Sequence, residues 1–522
     1  MTEPDKPLPA ASPLLRGRDL TTGSIPRHLI IFSLPMLAGN ALQMGHSLIN
    51  LFWVGRYLGE NAVAAVTVSM PVVFVLISAG MGLTLASSIL ISQHYGAKDE
   101  GAIRRVVNSS TILIGACSLV LVAAGELLTP AILRAMDTQE DVLPLAEQYM
   151  RIFLLSLPMG YGLFLTRSML QGIGDSRTPL YYQAAAVAIN AALDPLLMFG
   201  WLGLPALGLN GTAWATLIAQ GLALGALVVV LRRQKNLVAP AASWKAFDGH
   251  TALITTRIGF PSALQQSLVS VSMVFVTGIV NGFGGNATAA FGIAGRIDML
   301  AFMPALALSM AVSMLAGQNI GARKHHRVRQ IVLWGCVLSG GFTLAASALA
   351  VSIPETLMRV FISDSGDGAL CKDHRPPAAS GPSVAAMQNR AGQPGGAGKT
   401  MCPQCGKEVV ELGAGYLRIV GSCYVFFAFM FVTNGVINGA GHTMVTTVFS
   451  LVSLWVVRVP MALWLADHMG ITGVWYAMAA SFAVSMLASF AYYLSGRWRK
   501  TVVRRPVPDL PAAAFGEESG EV

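Results

Sequence analysis

The sequence predicts an all-α membrane protein: twelve transmembrane helices in two six-helix lobes related by an internal repeat. Three observations predict it. The 522 residues are 54% hydrophobic and only 12% charged, with a mean hydropathy of +0.60, too apolar for a soluble chain of this size. Apolar runs of about 20 residues recur from Ile30 to Leu494, each long enough to cross a hydrocarbon core. The chain is also written twice. Pro35 recurs as Pro261, 226 positions on, and Gln93-His94-Tyr95-Gly96-Ala97 recurs as Gln318-Asn319-Ile320-Gly321-Ala322, 225 positions on.

Further along, Tyr149-Met150-Arg151-Ile152 returns as Tyr416-Leu417-Arg418-Ile419, and Gln171-Gly172-Ile173-Gly174 as Asn438-Gly439-Ala440-Gly441, both 267 positions on. The growth of the offset from 226 to 267 places 41 extra residues in the second half only, between Asp364 and Val409. One hydrophobic layout per half is how many secondary transporters are built, with a substrate path between the halves.

The first span, Ile30–Val54, carries a polar stripe of Asn40, Gln43, Ser47 and Asn50, with His46 one turn before Asn50. Ala62–Ser92 and Val106–Leu128 follow, then Tyr149–Leu170 and Leu180–Trp201. Between these last two, Gly172-Ile173-Gly174-Asp175-Ser176-Arg177-Thr178-Pro179 lacks the preceding strand that a phosphate loop needs. It is expected to be a tight hinge, with Pro179 starting the next helix. Thr212–Leu231 completes the first lobe; Leu253–Val280, Ala287–Leu315, Ile331–Ile353, Tyr416–Ile437, Val445–Ala466 and Val474–Leu494 make the second. The expected organisation is an N-terminal tail (1–28), an N-lobe (29–231), a linker (232–252), a C-lobe (253–496) and a C-terminal tail (497–522).

The net charge of +9 is a matter of topology. With Met1 in the cytoplasm, 22 of the 35 Lys and Arg residues fall in the tails and in the loops on that side, among them Lys98, Arg104, Arg105, Arg232, Arg233, Arg323, Lys324 and Arg327. This asymmetry puts both termini in the cytoplasm of a bacterial inner membrane and excludes a nucleic-acid surface.

The stretch 365–407 breaks the apolar pattern with Pro376-Pro377 and Gly395-Gly396 and reads as a flexible extracytoplasmic insertion. It holds Cys371-x-x-His374 and Cys402-Pro403-Gln404-Cys405, four residues of the right softness for tetrahedral zinc. A disulfide between Cys402 and Cys405, or a surface insertion with no role in transport, fits the same residues. Cys117, Cys336 and Cys423 lie in apolar spans as small packing residues.

A carboxylate at membrane depth is costly enough to point to function. Asp194 is the sharpest case, with Asn190 one turn earlier on the same face. Pro195 has no N–H and so frees the Ala191 carbonyl beside it. Together these offer oxygen ligands and a titratable group for H⁺ or Na⁺. His46 is a second titratable candidate or a helix-packing donor. At the corresponding second-half positions stand Val269, Ser272 and Val276, so the coupling site is expected in the first lobe. Asn40 and Gln43, with Gln266 in the second half, are expected to line a substrate cleft. Asp298 is expected to pair with an arginine near the outer end of its span.

These pieces resemble the multidrug and toxic compound extrusion (MATE) family from about Ile25 to Tyr493, excluding the insertion. The resemblance rests on Pro35, Trp53-Val54-Gly55-Arg56-x-Leu58-Gly59 and Gly96-Ala97, and on Gln171-Gly172-x-Gly174-Asp175-x-Arg177-Thr178-Pro179. It extends through Asn190-x-x-Leu193-Asp194-Pro195-Leu196 and Gly208-x-Asn210-Gly211-Thr212-Ala213. It implies two lobes around a V-shaped cleft, working as a monomer without a required cofactor and exporting amphipathic organic cations in exchange for H⁺ or Na⁺. It further implies a first-lobe cation site at Asn190, Asp194 and Thr212. The acid that the family carries on its first helix falls on Asn50 here, a departure that removes one of two carboxylates, leaves Asp194 to carry coupling nearly alone with His46 as a further candidate, and favours H⁺. Two rivals remain at this level: a flippase for lipid-linked sugars, which would want a strongly cationic cleft, and a membrane thiol oxidoreductase using Cys402 and Cys405.

Overall fold

A computed structural model describes residues 17–361 and 403–499, apart from Asp137, Leu204, Ala241 and Ala242. Every regular element among the described residues is helical. The N-lobe is built from α1 (Ile25–Tyr57), α2 (Glu60–Gly96), α3 (Glu100–Ala135), α4 (Leu143–Gly172), α5 (Arg177–Phe199) and α6 (Leu209–Arg233). The C-lobe contains α7 (Gly249–Asn281), α8 (Gly285–Gly321), α9 (His325–Ser352), the short α10 (Pro354–Arg359), α11 (Pro403–Gly421) and α12 (Tyr424–Gly439). It ends with α13 (Thr443–Leu451), a π-helical stretch Val452–Arg458, α14 (Val459–Met469) and α15 (Ile471–Leu494).

Ten helices, counting α13 through α14 as one, are long and apolar enough to cross a membrane, and the bent pair α11–α12 makes an eleventh. The polar-striped α1, 33 residues long, completes twelve spans. Leu34, Leu127, Leu253 and Val360 stand well exposed, as expected where the solvent is hydrocarbon. Helix starts in the loops use local acids: Asp99 accepts from the Ala102 N–H at 2.9 Å, and Asp248 accepts from His250 and Thr251.

Several helices run past the expected span ends, α3 by six residues at its start and seven at its end, and the tenth span differs in kind. The tenth span is not one rod from Tyr416 to Ile437, because α11 and α12 meet at 47°. The helix also begins at Pro403, so the last residues of the expected flexible stretch 365–407 are helical; proline is at home in a first helical turn.

The repeat persists in the backbone. Gly59 and Gly284, 225 positions apart, open α2 and α8 with φ of 81° and 103°, a region that suits residues without a Cβ. Lys98 and Arg323 close those helices, both at φ 60°.

The same correspondence organises the junction between the lobes at the end bearing the basic loops. Gln93 Nε2 donates to the Gly439 carbonyl at 2.8 Å, and its repeat partner Gln318 donates to the Gly172 carbonyl at 3.0 Å. A Cβ on Gly96 would lie 1.9 Å from the Gln318 carbonyl oxygen, and one on Gly321 would lie 1.9 Å from that of Gln93. The two lobes therefore meet backbone to backbone.

Residues 17–23, expected as part of a free tail, are threaded into this junction. Leu20 is 1% exposed, its N–H donates to Gln318 Oε1 at 3.0 Å, and Asn319 Nδ2 donates to its carbonyl at 3.2 Å. Tyr95, Lys324 and Arg327 donate to the carbonyls of Gly17, Thr21 and Gly23. An extended segment has unpaired carbonyls, and these polar side chains satisfy them.

Candidate cation-coupling site

Asp194 lies late in α5, inside the N-lobe, and is fully buried. Its helix continues unbroken through Pro195 to Phe199. Asn190, one turn earlier and also buried, turns its amide nitrogen to Asp194 Oδ2 at 3.0 Å and to His46 Nε2 of α1 at 2.5 Å. Its amide oxygen accepts from the Thr216 N–H at 3.0 Å on α6, while the Thr216 hydroxyl gives its single hydrogen to the Thr212 carbonyl. This amide orientation gives the Asp194 carboxylate a donor and the Thr216 N–H an acceptor. One amide thus ties α1, α5 and α6 together around a carboxylate.

The second oxygen, Asp194 Oδ1, is buried with no hydrogen-bond partner. No cationic side chain forms an ion pair with Asp194 among the described residues; the ion pairs there join Arg151 to Glu126 and Glu147, and Arg418 to Glu355. A carboxylate sealed from water without a counter-charge is expensive. The arrangement can accept a proton or a small cation.

The other expected residues fall differently. Thr212 is buried on α6, but its hydroxyl donates to its own helix at the Leu209 carbonyl, 2.9 Å away. Its carbonyl accepts from Thr216 Oγ1 at 2.9 Å, so it reaches the cluster through Thr216. Asn50 is half-buried and makes no side-chain hydrogen bond among the described residues. Gln266 is exposed, and its carbonyl accepts from the Ser270 hydroxyl; the neighbouring Gln265 is the one that turns inward, donating to Ser450 Oγ at 2.8 Å.

Asn40 and Gln43 do come together, around a residue that the sequence reading passed over. Arg167 of α4 donates through Nη1 to Gln183 Oε1 of α5 at 3.0 Å and through Nη2 to Asn40 Oδ1 at 3.4 Å. Gln183 Nε2 in turn donates to the Gly39 carbonyl at 3.0 Å and to Gln43 Oε1 at 3.3 Å. The signal was present: an arginine inside an apolar span is subject to the same rule that singled out Asp194. Thr216 was legible too, one turn beyond Thr212 on the same face.

In the C-lobe, Asp298 of α8 is buried but does not pair with an arginine. It accepts hydrogen bonds from the Tyr416 and Tyr424 hydroxyls, and Arg458 instead donates to Ser481 Oγ at 2.8 Å and lies over the Phe482 ring. Cys371, His374 and Cys402 lie outside the described residues, and Cys405 is described by its backbone alone, in the first turn of α11. Among the described residues no group of three or more His, Cys, Asp or Glu is placed to hold a metal ion.

The MatE family model matches residues 35–196, 261–369 and 404–464. The probable multidrug resistance protein YoeA of Bacillus subtilis is 31% identical, over 92% of this chain and 96% of its own length. A second B. subtilis relative, the probable multidrug resistance protein YpnP, is 28% identical over 93% of this chain and 98% of its own. Among solved structures, the Vibrio cholerae MATE transporter VcmN in its bent form superposes with a TM-score of 0.76, covering 90% of this chain and 96% of that one at 22% identity. The chain belongs to the MatE family of multi-pass membrane transporters.

Proposed function

We propose that this protein is a secondary antiporter that exports amphipathic, cationic organic compounds in exchange for H⁺, with Na⁺ as the alternative coupling ion. The observation that carries the reading is the unpartnered Asp194 Oδ1, buried in the N-lobe without a counter-charge. Binding a cation there relieves a large desolvation cost, so the lobe's stability depends on occupancy. The favoured ion follows from the ligands. Asn190 presents its nitrogen, not its oxygen, to Asp194, so this amide adds a donor and no oxygen ligand beside the carboxylate. Na⁺ needs several oxygen ligands in place at once, whereas a proton needs only the carboxylate. His46, half-buried and bonded to the same amide, supplies a titratable group at the edge of the cluster.

In this reading, neutralising Asp194 lowers affinity for a cationic substrate, and the two lobes rock about the glycine-lined junction to expose the site alternately to each side. The coupling equals the difference in ion affinity between the two states. The Lys and Arg residues in the loops at this end support an orientation with the closed junction and both termini on the cytoplasmic side of an inner membrane. The protein acts as a monomer and needs no cofactor, and the insertion's Cys and His residues, whether or not they bind zinc, stand apart from transport.

Everted vesicles carrying Asp194→Asn test the assignment with ethidium as the cationic probe. Proton-driven ethidium accumulation is expected to fall to the background of vesicles lacking the protein. Transport at the wild-type rate would reject the role of Asp194, and transport driven by a Na⁺ gradient alone in the wild type would replace H⁺ with Na⁺.

A further inference from the structure

The N-lobe contains a positive charge that the export of simple cations does not use. Arg167 sits five residues before the end of α4, half-buried among spans. A guanidinium has five N–H donors in a planar fork, and only two are matched here, both to neutral amide oxygens and one of them at 3.4 Å. Three donors are left without a protein acceptor, and no carboxylate forms an ion pair with Arg167 among the described residues. A purely structural arginine at membrane depth would be expected to spend its fork on an acid or on helix carbonyls.

The surroundings are shaped to hold it open. Gly39 lets Gln183 reach the α1 backbone, since a Cβ there would stand 3.1 Å from Gln183 Oε1 and 3.8 Å from Arg167 Nη2. Gln183 and Asn40 steady the guanidinium, and the exposed Gln43 accepts from Gln183 beside them. The two clusters are carried by the same helices. Gln183 and Asn190 are seven residues apart on α5, about 10 Å along a helix, and α1 supplies Asn40 and Gln43 to one cluster and His46 to the other.

We propose that Arg167, with Asn40, Gln43 and Gln183, is a subsite for the anionic group of a zwitterionic amphiphile, a carboxylate or a phosphate monoester. Asp194 and Arg167 then present opposite charges to opposite ends of one substrate. A planar fork with free donors pairs with two-oxygen anions better than a point charge does. The inference rests on the export reading for its meaning, but equilibrium binding to the purified full-length chain measures it without transport.

A matched pair of dyes isolates the anion: rhodamine 19, a free carboxylic acid, and its ethyl ester rhodamine 6G, compared by fluorescence anisotropy in detergent. The wild type is expected to prefer the acid. Arg167→Gln should weaken rhodamine 19 by about tenfold, the scale of one charge-assisted hydrogen-bond pair, and leave rhodamine 6G within about twofold. Arg167→Lys, which keeps the charge, should retain a reduced preference for the acid. Equal loss of both dyes in Arg167→Gln, equal affinity for them in Arg167→Lys, or no change in either variant would overturn the subsite. Phosphatidylglycerol in the micelles separates the two sources of such an anion. It should leave rhodamine 19 binding unchanged, and displacement of the dye from wild type but not from Arg167→Gln would assign the fork to a lipid headgroup instead.

Discussion

Asn190 carries more structural weight than its side chain's size suggests, because one amide spends its donors on His46 and Asp194 and its acceptor on Thr216. His46 can therefore influence Asp194 without touching it. His46→Ala is expected to leave the site's fold intact but to shift the pH profile of proton-driven ethidium uptake; a profile superposable on wild type would remove His46 from the scheme. Asp194 and Asn190 were legible in the sequence because a carboxylate and an amide at i, i+4 beside proline break an otherwise apolar run. Arg167 was equally legible by charge alone and was missed only because its partners come from other helices. The Asn190 orientation was not legible, since it depends on a threonine contributed by α6. Thr212 illustrates the limit of transferring a motif: residue type and spacing match, but the hydroxyl is turned to its own helix.

At the scale of elements, the break between α11 and α12 is held from both sides. Tyr416 before it and Tyr424 after it donate to the same Asp298. Asp298→Ala leaves two hydroxyls without their acceptor, which should cost roughly 2–6 kcal/mol at 1–3 kcal/mol per orphaned group. A clear drop in the detergent unfolding temperature is the expected result, and an unchanged value would show that the tyrosines do not hold the bend. Hydropathy located this span but could not show its kink, because both halves are apolar and the cause sits on another helix. Span positions were otherwise readable from apolar length alone, as α5 shows by ending within two residues of the expected Trp201.

Across the whole molecule, the duplicated sequence yields matching contacts as well as matching helices. Gln93 and Gln318, found first as letters 225 positions apart, cross to Gly439 and Gly172 in opposite lobes. The segment between Gly17 and Gly23 adds a polar tie that composition could not reveal. Within it, burial favours the neutral form of Asp19, yet the Thr21 hydroxyl and N–H, with Lys324 and Lys98, outweigh this and hold its carboxyl below the ordinary 3.8. A lowered value stabilises the folded form when the group is ionised. That contribution is complete above the ordinary carboxylate range and disappears as pH falls through the lowered value. Wild type should thus unfold at a higher temperature than Asp19→Asn at neutral pH, with the difference closing in acid; a gap that persists in acid would exclude ionisation as its source.

The threading of Leu20 between Gln318 and Asn319 has a consequence for timing. Opening the lobes at the basic end must break the Leu20 contacts to Gln318 and Asn319 and bare amides at Leu20 and Thr21 that are otherwise buried. Deuterium uptake at Leu20 and Thr21 would then act as a turnover counter, quickening with working cycles and stalling when the driving gradient is collapsed.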